Sequence, residues 1–176
     1  MKISDIQKLK KSSSKFATIT AYDFPTAKII NELDIPLVLV GDSASMVVYG
    51  YKDTTHIEMN EMLLIAKAVK RGVKKALVVG DMPFMSYQPS VEIAVKNAGR
   101  FIKEASLDAV KLEGGVEYVE QIKEIIKAGI PVMGHIGLKP QSVLADSGYK
   151  IHGKTFDDAI KIFEDAITLE MAGVFA

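Results

Sequence analysis

Polar and ionisable side chains follow four successive apolar runs of this 176-residue sequence. They are Asp42 and Ser43 after the second run, Asp81 after the third, Lys111 and Glu113 at the end of the fourth, and His135 after the fifth. Three carboxylates that converge on one rim would repel one another unless a cation lies between them. Oxygen ligands without any cysteine favour Mg²⁺ over Zn²⁺. A 2-oxo acid could fill two positions on such an ion, which would polarise its ketone and ease removal of a proton from the adjacent carbon.

Each of these residues also has an ordinary structural explanation. An aspartate that follows a strand often caps the next helix. Lys111 and Glu113 point to the same side of a strand and could pair with each other, and His135 could be a buried histidine bonded to a carbonyl. The other histidines are weaker candidates, because His56 is expected to be solvated near a helix start and His152 lies in a loop that could cover a site.

The apolar runs predict parallel strands, because they are short, β-branched and without clean alternation, as in a sheet covered on both faces. They span 16–20, 36–40, 76–79, 109–111 and 130–133, and a sixth run begins at 173. Apolar residues at helical spacing between the runs predict helices. These cover about 3–11, 26–33, 59–69, 91–105, 116–126 and 156–167. Such alternation indicates parallel strands joined by right-handed crossovers.

Two architectures fit this alternation, an open doubly wound sheet and a (β/α)8 barrel. Five complete units and one opening strand suit a whole flavodoxin-like domain. They suit equally a barrel cut off after its fifth unit, since a full barrel takes about 250 residues. In both architectures ligands bind at the carboxyl ends of the strands, where the polar residues described above lie.

Composition excludes several classes of protein. Lys+Arg and Asp+Glu both number 22, so the formal net charge is zero and a nucleic-acid partner is not expected. The absence of cysteine excludes disulfide scaffolds, thiolate metal sites and a cysteine nucleophile. The longest apolar run, 35–41, is far shorter than the ~20 residues of a membrane span. The N-terminus lacks the apolar segment of a secretory signal, so we expect a cytoplasmic protein with no membrane partner.

Five segments, in this order along the chain, resemble the motifs of a known family. They are GDSASMVVYG at 41–50, DMPFMSYQ at 81–88, VKLEGG at 110–115, PVMGHIGLKPQS at 131–142 and GYKIHGK at 148–154. Together they resemble the ketopantoate hydroxymethyltransferase (3-methyl-2-oxobutanoate hydroxymethyltransferase) family, from about residue 16 to residue 176. The resemblance implies an α/β fold, a (β/α)8 TIM barrel of the phosphoenolpyruvate/pyruvate superfamily. Residues 1–176 would form a single partial TIM-barrel domain, truncated after about five βα units.

The resemblance also implies an activity. The family transfers a hydroxymethyl group from 5,10-methylenetetrahydrofolate to 3-methyl-2-oxobutanoate and forms 2-dehydropantoate, a step of pantothenate biosynthesis. It uses Mg²⁺ and assembles as a homo-oligomer, commonly a decamer. Carried over to this sequence, the metal ligands are Asp42, Asp81 and Glu113. The residues expected to bind substrate are Asp42, Ser43, Asp81, Lys111 and His135.

One part of the family pattern lies outside the chain. The proton-accepting glutamate of the family follows the sixth strand, beyond Ala176, so we expect no catalytic base among these residues. We therefore expect the native protein to be longer, by on the order of 80 residues, and the 176-residue form to lack turnover.

Two other functions stay open on the residues alone. One is another Mg²⁺-dependent C–C lyase that acts on an oxo acid within the same superfamily. The other is a complete doubly wound module that binds Mg²⁺ or a phospholigand. Met82, Phe84 and Tyr87 could line a folate pocket or simply pack.

Overall fold

The computed structural model describes residues 1–12 and 15–176. The strands are β1 (Thr18–Thr20), β2 (Leu37–Val40), β3 (Leu77–Asp81), β4 (Ala109–Glu113) and β5 (Val132–His135). The α-helices are α1 (Ile3–Lys11), α2 (Phe24–Glu32), α3 (Ala44–Val47), α4 (Met59–Gly72), α5 (Val91–Ala105), α6 (Val119–Lys127) and α7 (Phe156–Ala172). Short 3₁₀ helices span Thr54–His56, Val116–Tyr118 and Pro140–Ser142.

The strand order decides between the two architectures. All neighbouring strands are parallel, and they lie in the order β1-β2-β3-β4-β5. Each crossover therefore advances by one strand in the same direction, as in a (β/α)8 barrel, whereas a flavodoxin-like sheet reverses direction after its first crossover. The barrel prediction is confirmed for these five units, and the doubly wound alternative is wrong.

The last residues extend this sheet. Phe175 N–H donates to the carbonyl of Val132 at 3.0 Å, and Gly134 N–H donates to the carbonyl of Ala176 at 2.9 Å. These bonds attach the last two residues to β5, at the point where the sequence predicts the opening of a sixth strand.

The two faces of the sheet bury different cores, because alternate strand residues point to opposite sides. Val38, Val78 and Val110 belong to the larger core, which includes residues of α2, α4 and α5. Leu37, Leu77 and Ala109 lie in the second core, with Ile6 of α1 and Phe175. Side chains two residues apart on a strand lie on the same face. Asp81 on β3, and Lys111 and Glu113 on β4, therefore share the face of this second core. These three side chains therefore lie on the inner face of the sheet, at its carboxyl end.

Polar caps explain where several helices begin. Asp23 accepts a hydrogen bond from Thr26 N–H at 2.7 Å before α2, and Ser90 and Thr155 cap α5 and α7 in the same way. The sequence predicts the bounds of α1 and α5 correctly. It does not predict the four-residue helix α3, and it merges the 3₁₀ helix at 116–118 with α6.

Helix α7 presents the predicted apolar stripe to solvent. Phe156 and Phe163 are 79% and 65% exposed, whereas Leu169 is buried in the larger core. Asp165 accepts a hydrogen bond from Val116 N–H at 2.9 Å, which joins α7 to the segment after β4. Within residues 1–12 and 15–176, no helix combines the length and the apolar character that crossing a bilayer requires.

Candidate active site

The register of the strands brings the polar side chains together. Asp81 lies opposite Lys111 across β3 and β4, and Glu113 lies opposite His135 across β4 and β5. Lys111 Nζ therefore reaches Asp81 Oδ1 at 2.6 Å, and His135 Nδ1 lies 3.4 Å from Glu113 Oε1. In the described part of the chain, the ion pair of Lys111 is with Asp81 and not with Glu113, so pairing occurs between strands and not along one.

Asp42 completes this group from the end of β2. Its backbone N–H donates to Asp81 Oδ2 at 3.3 Å, and its Oδ2 accepts from Gln141 Nε2 at 2.8 Å. Asp42, Asp81, Glu113 and Lys111 are all at most 8% exposed. We refer to these four residues as the acid cluster.

The acid cluster has an excess of negative charge. Three buried carboxylates face one ammonium group, so full ionisation would leave two uncompensated negative charges. Burial, followed by the neighbouring charge of Asp81, raises the pKa of Asp42 to about 8, while Lys111 and Gln141 act in the opposite direction. Burial alone would lower the pKa of Lys111, but Asp81, Asp42 and Glu113 raise it above its ordinary value. The cluster thus favours the binding of positive charge.

The three carboxylates of the acid cluster do not all lie at one point. Among the residues that the structure describes, no three acidic or histidine side chains are grouped closely enough to hold a metal ion. Asp42 and Asp81 lie next to each other, whereas Glu113 Oε2 accepts from Gln141 N–H at 3.0 Å. The donor chemistry fits a hard cation beside Asp42 and Asp81, and Glu113 belongs to the surrounding hydrogen-bond network.

His135 adds an unsatisfied donor or acceptor to the same network. Its Nδ1 is close to Glu113 but is not aligned for a hydrogen bond, so this buried atom has no hydrogen-bond partner among the described residues. A buried polar atom without a partner is costly. A bound ligand with a polar group at this place would satisfy it.

Ser43 lies at the start of α3, beside the acid cluster. Its hydroxyl is 2.7 Å from the hydroxyl of Tyr22, in the segment after β1. The sequence does not predict Tyr22 as a neighbour of the site, because the residues around β1 do not distinguish it from a packing residue.

Two further neighbours were missed or undervalued. Gln141 joins the acid cluster from the connection between β5 and α7, and the sequence offers no spacing signal for it. Tyr87 is only 1% exposed, and its hydroxyl lies 2.8 Å from Gln141 Oε1 and accepts from Glu113 N–H at 3.2 Å. Met82 is fully buried and Phe84 is 36% exposed, and whether these residues line a folate pocket stays a prediction.

The other two histidines lie apart from these contacts. His56 stacks on Tyr51, and its Nδ1 is 2.9 Å from Asp53 Oδ1. His152 lies between Asp158 and Asp146, with nitrogen–oxygen distances of 3.7 and 4.0 Å. His152 thus lies close to residues of its own loop and of α7.

Comparison with known proteins adds a family. The family model described as ketopantoate hydroxymethyltransferase matches residues 1–176. A 3-methyl-2-oxobutanoate hydroxymethyltransferase of Dehalococcoides mccartyi is 53% identical over 174 residues, which are 99% of this chain and 62% of that protein. One of Clostridium botulinum is 56% identical over 174 residues, covering 99% and 63%. The chain thus spans somewhat less than two thirds of the length of these relatives.

Solved structures share the fold at low sequence identity. A 2,3-dimethylmalate lyase of the PEP mutase/isocitrate lyase superfamily aligns with 98% of this chain and 60% of its own, with a TM-score of 0.67 and 14% identity. A phosphoenolpyruvate phosphomutase of Streptomyces platensis aligns with 99% of this chain and 62% of its own, with a TM-score of 0.70 and 15% identity. These likenesses confirm the predicted barrel fold.

Proposed function

Because the chain belongs to the ketopantoate hydroxymethyltransferase family, we propose that the protein carrying it transfers a hydroxymethyl group from 5,10-methylenetetrahydrofolate to 3-methyl-2-oxobutanoate. The product would be 2-dehydropantoate, on the way to pantothenate. The observation that carries this proposal is the buried excess of carboxylates beside a single lysine at the carboxyl end of the sheet.

A divalent cation suits this charge imbalance. Mg²⁺ is commonly held through one or two protein carboxylates and keeps positions for water or substrate. Asp42 and Asp81 would hold it here, and Glu113 would support the site through its bonds to the surrounding network. When bound, the ion would polarise the ketone of the oxo acid and favour loss of the proton on C3.

The chain's own residues would bind and orient the oxo acid. Lys111 is positively charged and makes one hydrogen bond to protein among the described residues, so its other N–H groups can face an anionic substrate. His135 has a free ring nitrogen directed into the same network. Ser43 is close enough to the end of β2 to offer a hydroxyl. Lys111 is buried, so the exclusion of water would strengthen its interaction with the substrate.

The proton acceptor is a separate matter. The glutamate that the family resemblance implies would lie beyond Ala176, so residues 1–176 would contribute binding and polarisation and not the base. We therefore expect residues 1–176 alone to bind Mg²⁺ and the oxo acid without turnover, which isothermal titration calorimetry and a product assay would establish.

Two assays on the protein that carries this chain test the proposal. Exchange of the C3 proton of 3-methyl-2-oxobutanoate in D₂O reports proton removal, and added methylenetetrahydrofolate should then yield 2-dehydropantoate. Asp42→Asn should slow both by about 100-fold or more, because it removes a metal carboxylate. Asp146→Asn, outside the acid cluster, should leave both unchanged. Exchange that needs no divalent ion would contradict the proposal.

A further inference from the structure

Gln141, which the sequence does not single out, contacts two acids of the acid cluster. Its side chain is 5% exposed and lies in the 3₁₀ helix between β5 and α7. Nε2 donates to Asp42 Oδ2 at 2.8 Å and to the carbonyl of Met82 at 2.9 Å. Oε1 lies 2.8 Å from the hydroxyl of Tyr87 and accepts from Gln88 Nε2 at 3.0 Å. Both N–H groups of the amide therefore donate, and Oε1 accepts from Gln88. The single hydroxyl proton of Tyr87 can be donated to Oε1 or to the carbonyl of Glu113, which lies 3.0 Å away.

The orientation of this amide is determined by its partners. The carbonyl of Met82 can only accept a hydrogen bond, whatever the protonation state of Asp42. A flipped amide would direct Oε1 at two oxygens, so the NH₂ group must face them. Burial and the charge of Glu113 raise the pKa of Tyr87, which keeps its hydroxyl protonated and able to donate to Oε1.

The backbone of the same residue holds a second acid. Gln141 N–H donates to Glu113 Oε2 at 3.0 Å, while the hydroxyl of Tyr87 accepts from Glu113 N–H. One residue thus links the ends of β2, β3 and β4. Hydrogen bonds to a buried charged group are among the stronger ones in proteins, and they fix geometry as well as energy.

We propose that Gln141 is a positioning residue of the acid cluster, through which the connection between β5 and α7 holds Asp42 and Glu113 in place. Gln141 acts on the substrate only through these acids. The inference deepens the proposed function and rests on it only where ligand affinity is concerned.

A substitution of similar size isolates the side-chain bonds. Gln141→Met keeps the backbone bond to Glu113 and removes the bonds to Asp42, Met82 and Tyr87. We expect about tenfold faster hydrogen exchange of the Asp42 and Glu113 amides by NMR, and about tenfold weaker Mg²⁺ binding by calorimetry. Gln88→Met, which removes one bond to Oε1, and Gln121→Met, on helix α6, should each change both quantities less than twofold.

A measurement on the unsubstituted protein guards against loss of folding in the variant. The side-chain NH₂ protons of Gln141 should exchange slowly, because both are bonded in a buried place. Exchange at the rate of an exposed glutamine would overturn the proposal. So would a Gln141→Met variant that keeps wild-type exchange and affinity, or one that accelerates exchange uniformly across the sheet.

The two proposals fail in different ways. If the unsubstituted protein binds neither Mg²⁺ nor 3-methyl-2-oxobutanoate, the proposed function is wrong. Amide exchange at Asp42 and Glu113 still decides whether Gln141 positions them.

Discussion

One ammonium group among three buried carboxylates makes the acid cluster sensitive to pH. Asp42 has an ordinary pKa of 3.8 and a pKa of about 8 in the folded chain, because it is buried beside Asp81. Between these values the folded state retains a proton that the unfolded state releases. Each rise in pH across this interval therefore favours unfolding.

Asp42→Asn should remove this dependence. In metal-free buffer the unsubstituted chain should lose stability from about pH 4 to about pH 8, on the order of 1 kcal/mol per pH unit. The variant should show a flatter profile and be the more stable form above pH 8, as measured by urea denaturation at several pH values. Parallel profiles for the two proteins would contradict the shifted pKa.

The Lys111–Asp81 pair gives a second prediction at this scale. Lys111→Met should destabilise the fold by about 3–5 kcal/mol, because it leaves a buried carboxylate without its cation. The double variant Lys111→Met/Asp81→Asn should recover much of that loss. Denaturant titration of the set measures the coupling, and additive losses would show that the pair contributes nothing specific.

At the scale of elements, the close approach of two helices restricts the size of the side chains at their contact. Gly72 closes α4 where it crosses α2, and an added Cβ would lie 2.6 Å from Ala27 Cβ and 3.0 Å from the carbonyl oxygen of Phe24. The oxygen is a backbone atom, so the helices would have to move apart. Gly99 within α5 has no atom within 4 Å of an added Cβ.

These two glycines form a matched pair. Gly72→Ala should destabilise the chain by about 1–3 kcal/mol through overpacking. Gly99→Ala should stabilise it by about 0.5–1 kcal/mol, because alanine favours a helix interior. Thermal or urea denaturation compares them, and equal effects of the two substitutions would show that the α2–α4 contact adapts freely.

At the scale of the whole molecule, the exposed edge of the sheet and the outer face of α7 are the surfaces that favour association. Phe156, Phe163 and Met171 of α7 are 79%, 65% and 84% exposed, and β1 forms one edge of the sheet. Exposed apolar faces and strand edges favour association.

Residues 1–176 alone should therefore associate in a concentration-dependent way, as sedimentation velocity would show. Phe163→Gln should weaken this association and change folding stability by no more than about 0.5 kcal/mol, because the side chain is exposed. Glu164→Gln, on the same helix, provides the control. A monomer that persists at high micromolar concentration would exclude α7 as an association surface.

Much of this molecule follows from the order of its residues. Alternating apolar runs and helical stripes predicted the strands and helices, because burial on both faces of a parallel sheet imposes that composition locally. Position at strand ends singled out Asp42, Asp81, Lys111 and Glu113, since parallel strands deliver their carboxyl ends to one rim.

Only the tertiary structure decided the partners. The strand order distinguished barrel from doubly wound sheet, because local periodicity is the same in both. The register paired Lys111 with Asp81 in place of Glu113. Gln141 reaches Asp42 across 99 positions of sequence. Contacts of that separation depend on how whole elements pack, and no local pattern of residues encodes them.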